Sequence, residues 1–95
     1  MVVGVARLTL VIHDSRSLKD KRQVLKSLLE KVKNRFNVSA AETGALDLWQ
    51  RAEVGIVAVG NDKAFVNSVL DKALDFVEGL CVAEVTDTSV ELMDF

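Results

Sequence analysis

The residues of this chain that could perform chemistry are few, and they include a single histidine and a single cysteine. His13 is followed by Asp14 and Ser15, which are the three residue types of a hydrolase triad. Neighbouring residues on an extended segment point to opposite sides, so these three cannot form a nucleophile, base and orienting acid in series. Cys81 stands between two apolar residues and is interpreted as a small core residue, not as a reactive thiol. We therefore expect no catalytic residues and no enzymatic activity, and we predict that His13 ends a strand.

Metal and cofactor sites also lack their usual residues. With one histidine and one cysteine, a zinc ion would be held almost wholly by carboxylates, which zinc rarely accepts as its main ligands. The five glycines are isolated from one another, and none forms the glycine-rich loop that cradles a phosphate. We therefore expect no metal and no cofactor.

The charged residues are unevenly distributed along the chain. The net charge is −2, which excludes an overall positive field that would attract nucleic acid. However, residues 16–35 contain eight Lys and Arg against two acids, whereas residues 36–95 contain three against eleven. On a helix with about 100° per residue, four of these cations share one side, next to the apolar face. We call these four the basic stripe: Lys19, Arg22, Lys26 and Lys33.

Two interpretations of the basic stripe remain open. A run of charge on a helix is commonly a solvated face that the acids of a neighbouring helix complement. Alternatively, the stripe and the preceding Arg16 bind phosphates of RNA, while the helix start at Ser17 offers free N–H groups to an anion. Lys19, Lys21 and Arg22 crowd the positive end of the helix dipole, and a bound anion would relieve that repulsion. Lys21 itself is expected to lean out past the end of the sheet.

Changes of hydrophobic period predict the elements that position these residues. Val2 to Ile12 is apolar on both faces, as in a strand inside a sheet. Ser17 and Asp20 form a capping-box pattern in front of a helix that runs to about Asn34. The remaining predicted elements are strands at 36–42 and 51–59, a helix from an Asn61-Asp62 cap to Gly79 at C′, and a last strand from Leu80 to Met93, continuous or broken near Thr86.

The order β-α-β-β-α-β predicts the fold. The two helices are apolar on one side only, so both must cover the same sheet. Right-handed crossovers then give an α+β fold, a ferredoxin-like split β-α-β sandwich in one domain spanning residues 1–95. The N-terminal apolar run is too short for a signal peptide or a membrane span, so we expect a cytoplasmic protein without a membrane partner.

The uncovered face of the sheet suggests an alternative function. It would hold either the set Val3, Val5, Val11 or the set Gly4, Leu8, Leu10, and both sets are too apolar to be left in water. A homodimer or a partner protein could bury that face, and Trp49 could extend the apolar patch. Base stacking on the sheet is not expected, because the first and third strands carry no aromatic residue.

The segment Ser17-Leu-Lys-Asp-Lys-Arg22, followed by Phe36-Asn-Val-Ser39 and Ala41-Glu42, resembles the YlxP-like family of small bacterial proteins, a domain of unknown function. The resemblance covers essentially all 95 residues. It implies a ferredoxin-like fold and a family often encoded among translation-initiation and ribosome-maturation factors, but it assigns no catalytic residues. The expected function is therefore a non-enzymatic RNA- or ribosome-associated protein that binds phosphate through Arg16 and the basic stripe.

Overall fold

The computed structural model, which describes residues 1–95, has the predicted order of elements. The elements are β1 (Val2–Val11), α1 (Leu18–Arg35), β2 (Ser39–Gly44), β3 (Arg51–Gly60), α2 (Lys63–Leu80) and β4 (Glu84–Asp94). The strands form one antiparallel sheet in the order β2-β3-β1-β4, and both helices pack on one face of it. The ferredoxin-like α+β prediction is therefore confirmed. Neither helix is both long and apolar enough to cross a membrane.

The core lies between the sheet and the two helices. Alternate residues of the central strands point into it, because successive side chains of a strand face opposite sides. Each helix buries one line of residues spaced three or four apart, as an amphipathic helix does. The largest contributions come from Leu8 and Leu10 of β1, Val54 and Ile56 of β3, Leu25, Leu28 and Val32 of α1, and Val66, Leu70 and Val77 of α2.

Helix α2 packs directly against β1 at Gly4. A Cβ atom at this position would lie 2.6 Å from side-chain carbons of both Leu70 and Val66, and 3.0 Å from Leu92. Real Cβ atoms essentially never lie 2.6 Å from another carbon, and Leu70 and Val66 are buried core side chains with little room to move. Gly4 is therefore required by the close approach of helix and strand.

Gly4→Ala is expected to lower the free energy of unfolding by about 1–3 kcal/mol, because it overpacks the core. Gly79→Ala is the matched control, since a Cβ at Gly79 meets no atom within 4 Å and the residue lies inside α2. It is expected to raise the free energy of unfolding by about 0.5–1 kcal/mol, because alanine favours the helix. Urea unfolding of both variants measures the difference, and equal effects would contradict the packing at Gly4.

The end of α2 differs from the sequence prediction. Gly79 does not end the helix, which continues to Leu80 and is capped by Cys81 in a left-handed conformation with φ of 55°. The backbone N–H of Cys81 donates to the carbonyl oxygen of Glu78, and its side chain is exposed. The interpretation of Cys81 as a core residue is therefore wrong.

Two strand boundaries also differ from the prediction. Strand β2 begins at Ser39 because Phe36 caps α1 instead: its N–H donates to Val32, and its ring lies 5.7 Å from that of Phe76. Strand β4 is continuous and begins at Glu84, with a register shift opposite Thr9 and Leu10. At both boundaries, residues that the sequence pattern assigns to a strand have another role: Phe36 caps α1, and residues 82–83 connect α2 to β4.

The two ends of the chain lie side by side in the sheet. The N–H of Phe95 donates to the carbonyl oxygen of Met1 at 2.8 Å, next to the pairing of Val2 with Asp94. Lys63 at the start of α2 places its Nζ 2.8 Å from a carboxylate oxygen of Asp94. The hydrogen bond to Asp94 and its negative charge raise the pKa of Lys63 above its ordinary value. Since this pair is solvent-exposed, it adds little to stability.

Candidate functional site

Helix α1 begins with the predicted capping pattern at Ser17. The Ser17 hydroxyl accepts a hydrogen bond from the N–H of Asp20 at 3.1 Å, and the Asp20 carboxylate accepts one from the N–H of Arg16 at 3.1 Å. The first bond satisfies a free N–H group of the helix start, whereas the second comes from the residue before the N-cap, so only half of the predicted capping box is formed; the Asp20 carboxylate also places a negative charge beside the helix start. The Ser17 hydroxyl is therefore engaged inside the protein, and an anion bound here would meet backbone N–H groups and the side chains around them.

The basic stripe is exposed along its whole length, as is Arg16 in front of it. The five ion pairs of the protein involve other cations, so none of these five side chains lies within 4.0 Å of a carboxylate oxygen. From Lys19 to Lys33 the stripe extends about 21 Å along the helix axis. The result is a row of exposed cations that no carboxylate contacts, with the exposed Glu30 at its edge between Lys26 and Lys33.

The basic stripe lies on the side of α1 that faces away from α2. The line of α1 residues centred on Leu25 and Leu28 is buried against the sheet. The flank that carries Val24 and Lys31 lines a cleft shared with Leu80 at the end of α2. At about 100° per residue the stripe occupies the opposite flank, on the side of the edge strand β2. This position separates it from the acidic residues on the outer face of α2.

Lys31 and Arg35 do not belong to the basic stripe. Lys31 lines the cleft between the helices together with Leu80 and Val82. The guanidinium carbon of Arg35 lies 5.3 Å from the centre of the Phe76 ring, in a cation–π contact with α2. Both cations are therefore directed towards α2, and the stripe keeps the membership that the helical wheel predicted.

Lys21 is buried, and the expectation that it leans out past the sheet is wrong. Its side chain is 1% exposed, and its Nζ lies 3.0 Å from a carboxylate oxygen of Glu42 on β2. The ammonium also donates to the carbonyl oxygens of Ala45, Leu46 and Arg51 at 2.9, 3.3 and 3.3 Å. The three N–H groups of the Lys21 ammonium all donate to these three carbonyl oxygens. The nearby Glu42 carboxylate oxygen is therefore in ionic contact with Lys21 but accepts no hydrogen bond from it.

The contacts of Lys21 fix the β2–β3 loop, which we define as residues 45–50. The ammonium binds carbonyls at both ends of the loop, so the loop closes around it. Gln50 adds a second attachment, because its side-chain amide donates to the carbonyl oxygens of His13 and Ser15, each at 3.1 Å. The N–H of Ile12 donates to the carbonyl oxygen of Gln50 at 2.8 Å. The loop is thus held against the start of α1.

The open face of the sheet carries the Val3, Val5 and Val11 set, which is one of the two predicted alternatives. Most of its apolar residues gather at one end, where Val3 pairs with Val59 and Met93, and Val5 pairs with Val57, whereas Val11 lies at the other end opposite Arg51. The remainder of the face is polar and includes ion pairs such as Arg7 with Glu91 at 3.4 Å and Arg51 with Glu53 at 3.7 Å. The face is therefore only half apolar.

Trp49 does not extend this apolar end. It precedes Arg51, and Arg51 and Val59 stand near opposite ends of β3, about 26 Å apart at about 3.3 Å per residue. Trp49 therefore lies near the end of the sheet where Val11 pairs with Arg51, and it does not adjoin the end that carries Val3 and Val5. Its side chain is 56% exposed on the β2–β3 loop, next to the start of α1.

His13 does not form a hydrolase triad, in agreement with the sequence analysis. Its Nε2 lies 2.6 Å from a carboxylate oxygen of Glu84, and the hydroxyl of Ser15 donates to the carbonyl oxygen of Ser17 instead. His13 and Cys81 line an open cleft of about 820 Å³, which Arg16 does not line. No group of three or more His, Cys, Asp or Glu side chains is arranged to hold a metal ion.

Comparisons with known proteins give a family match without a function. A family model described as "Protein of unknown function (DUF503)" matches residues 3–90. The chain is also 40% identical over 90 residues to "Uncharacterized protein YlxP" of Bacillus subtilis (strain 168), in an alignment covering 95% of this chain and 98% of that protein. The family match spans α1 and the β2–β3 loop, and neither description states an activity or a partner.

Proposed function

This chain belongs to the DUF503 family of proteins of unknown function, as its resemblance to the YlxP-like family predicted, and we propose that it is a non-enzymatic RNA- or ribosome-associated protein of the cytoplasm. One observation carries the proposal. Arg16 and the basic stripe are five exposed cations without a carboxylate partner, although the chain as a whole is acidic. Such a row attracts phosphates and gains free energy when bound counterions are released.

The proposed contacts are to the phosphate backbone. Lys19, Arg22, Lys26 and Lys33 each face a phosphate along the length of the stripe, and Arg16 extends the row beyond the start of α1. Backbone N–H groups of the first turn after Ser17 assist, although Asp20 partly opposes an anion there. Contacts of this kind carry little sequence information. The dissociation constant is therefore expected to be that of nonspecific binding, on the order of 10⁻⁴ to 10⁻⁶ M.

A titration of the protein with a structured RNA at several salt concentrations tests this function. About four phosphate contacts predict that the logarithm of the binding constant falls with the logarithm of salt concentration, with a slope near −3 to −4. RNA binding whose affinity does not depend on salt concentration would show that the basic stripe is not the binding surface. The absence of any binding at low salt would remove the function itself.

A second candidate function is homodimerisation through the apolar end of the open sheet face. Val57, Val59 and Met93 are 37%, 64% and 38% exposed there, and Val3 and Val5 adjoin them. A patch of this kind on one side of a small domain is typical of a surface that binds a second copy or another protein.

Sedimentation of the pure protein at tens of micromolar tests the second candidate. The wild-type chain is expected to sediment as a dimer, and Val59→Lys as a monomer, because the substitution places a charge in the centre of the contact. Thr43→Lys, on the open face of the edge strand β2 and away from the patch, is the control and should leave the dimer intact. A monomeric wild-type protein would contradict self-association.

A further inference from the structure

The β2–β3 loop presents an apolar surface beside the start of the basic stripe. Leu46, Leu48 and Trp49 are 57%, 50% and 56% exposed in this single short loop. A solvated loop has no structural need for three large apolar side chains, because polar residues would serve there without exposing hydrocarbon to water. Loop residues that a rigid scaffold holds in place commonly take part in binding.

The backbone of the loop is fixed in position, so the chain at Trp49 is held near the start of α1. The buried Lys21 ammonium holds the backbone at both ends of the loop. Gln50, the neighbour of Trp49, is hydrogen-bonded to the carbonyl oxygen of Ser15, and Arg16 follows directly in the chain. Because the backbone beneath Trp49 is already held, ligand binding has to order only the indole side chain and not the loop.

We propose that Trp49 stacks on a nucleobase and that the ligand of this surface is a single-stranded segment of RNA; this inference rests on the proposed function. Arg16 and the basic stripe bind the phosphates, and the indole of Trp49 contacts the face of an unpaired base. In an RNA double helix the bases are stacked inside, so the duplex can contact Arg16 and the basic stripe through its phosphates but has no free base face for Trp49. Strands β1 and β3 carry no aromatic residue, so the stacking surface is the loop and not the sheet.

The intrinsic fluorescence of the protein tests the stacking directly. Trp49 is the only tryptophan and the chain has no tyrosine, so emission near the tryptophan maximum reports on this residue alone. A 12-nucleotide oligouridylate is expected to quench the emission strongly, while an RNA duplex of equal length quenches it weakly. Equal quenching by both would overturn the preference for unpaired bases.

Substitutions separate stacking from general contact. Trp49→Ala is expected to weaken binding of the labelled oligouridylate, measured by anisotropy, by about 5- to 100-fold, the effect of removing one base-stacking aromatic. Trp49→Phe should retain most of the affinity. Leu48→Ala removes an apolar side chain of similar exposure from the same loop, and it should weaken binding clearly less than Trp49→Ala because leucine has no ring to stack on a base. An equal loss in Leu48→Ala would overturn stacking in favour of a nonspecific apolar contact.

The anisotropy and fluorescence measurements distinguish failure of this inference from failure of the proposed function. If no RNA binds at low salt, the proposed function falls and the stacking role falls with it. If RNA binds but Trp49→Ala has the wild-type affinity, only the stacking role falls. Vesicles of phosphatidylglycerol provide a further arm: a blue shift of Trp49 emission on vesicles, without a response to RNA, would assign the loop to a lipid surface and overturn the proposal.

Discussion

Lys21→Met is expected to lower the free energy of unfolding by about 3–5 kcal/mol. Methionine fills nearly the same volume but removes the ammonium, which leaves the partly buried Glu42 carboxylate, with its Oε2 atom inaccessible to water, without its counter-charge. The carbonyl oxygens of Ala45, Leu46 and Arg51 lose their donor in the same change. Single domains are commonly stable by only about 5–15 kcal/mol, so the loss is a large fraction of the total. Urea unfolding followed by circular dichroism measures it.

Three further variants make this prediction specific to the ion pair. Lys31→Met removes an exposed lysine from the same helix and is expected to change the free energy of unfolding by less than about 0.5 kcal/mol. Glu42→Gln keeps the size of the side chain and should be milder than Lys21→Met, because the three carbonyl contacts remain. If Lys21→Met itself fails to fold, adding Glu42→Leu should restore part of the stability, since no unpaired charge is then buried. A Lys21→Met protein as stable as Lys31→Met would contradict the role assigned to Lys21.

The fold was predictable because hydrophobic period and helix caps report directly on secondary structure. Ser17 and Asp62 both accept hydrogen bonds at the helix starts where the sequence places caps. Val2 to Val11 is the central strand that its two apolar faces indicate. The predicted boundaries were wrong where tertiary contacts outweighed the local pattern. Phe36, predicted to begin a strand, caps α1 and contacts Phe76. Cys81, and not Gly79, has the left-handed conformation at the end of α2.

The membership of the candidate site was predictable only in part. The helical wheel placed the four residues of the basic stripe on one side correctly, because an exposed helical face depends only on spacing. The wheel also places Lys21 on the apolar side, between Leu25 and Leu28, but its position in the first turn equally allows a lysine to reach solvent past the end of the sheet. Its burial depends on Glu42 and on loop carbonyls far along the chain, which no local pattern describes.

The position of Trp49 could not be predicted for the same physical reason. A connection of uncertain conformation can place its side chains at either end of the sheet or over either face. Only the tie from Gln50 to Ser15, together with the contacts of Lys21, decides that Trp49 lies beside the start of α1. Long-range hydrogen bonds to main-chain atoms are independent of residue type on the accepting side, so they leave no signature in the sequence.

Reversing two charges in the middle of the basic stripe, Arg22→Glu with Lys26→Glu, is expected to weaken RNA binding by roughly 100-fold near 0.1 M salt. Each phosphate contact contributes about 0.7 to the steepness of the salt dependence for a single strand and about 0.9 for a duplex, so loss of two contacts should make the slope shallower by about 1.4–1.8. The two new carboxylates add repulsion against the same phosphates. Both side chains are exposed and unpaired, so the fold should survive, and thermal unfolding checks this.

The control for this pair is Lys31→Glu with Lys72→Glu, which changes the net charge by the same amount. Lys31 faces the cleft between the helices, and Lys72 lies on α2. If the local row of charge binds RNA, the control should keep its affinity within a few-fold, because charges off the stripe act on phosphates only through screened, long-range attraction. An equal loss in both pairs would mean that net charge governs association. No loss in either pair would remove the basic stripe as an RNA-binding surface, since reversed charge at direct phosphate contacts cannot be without effect.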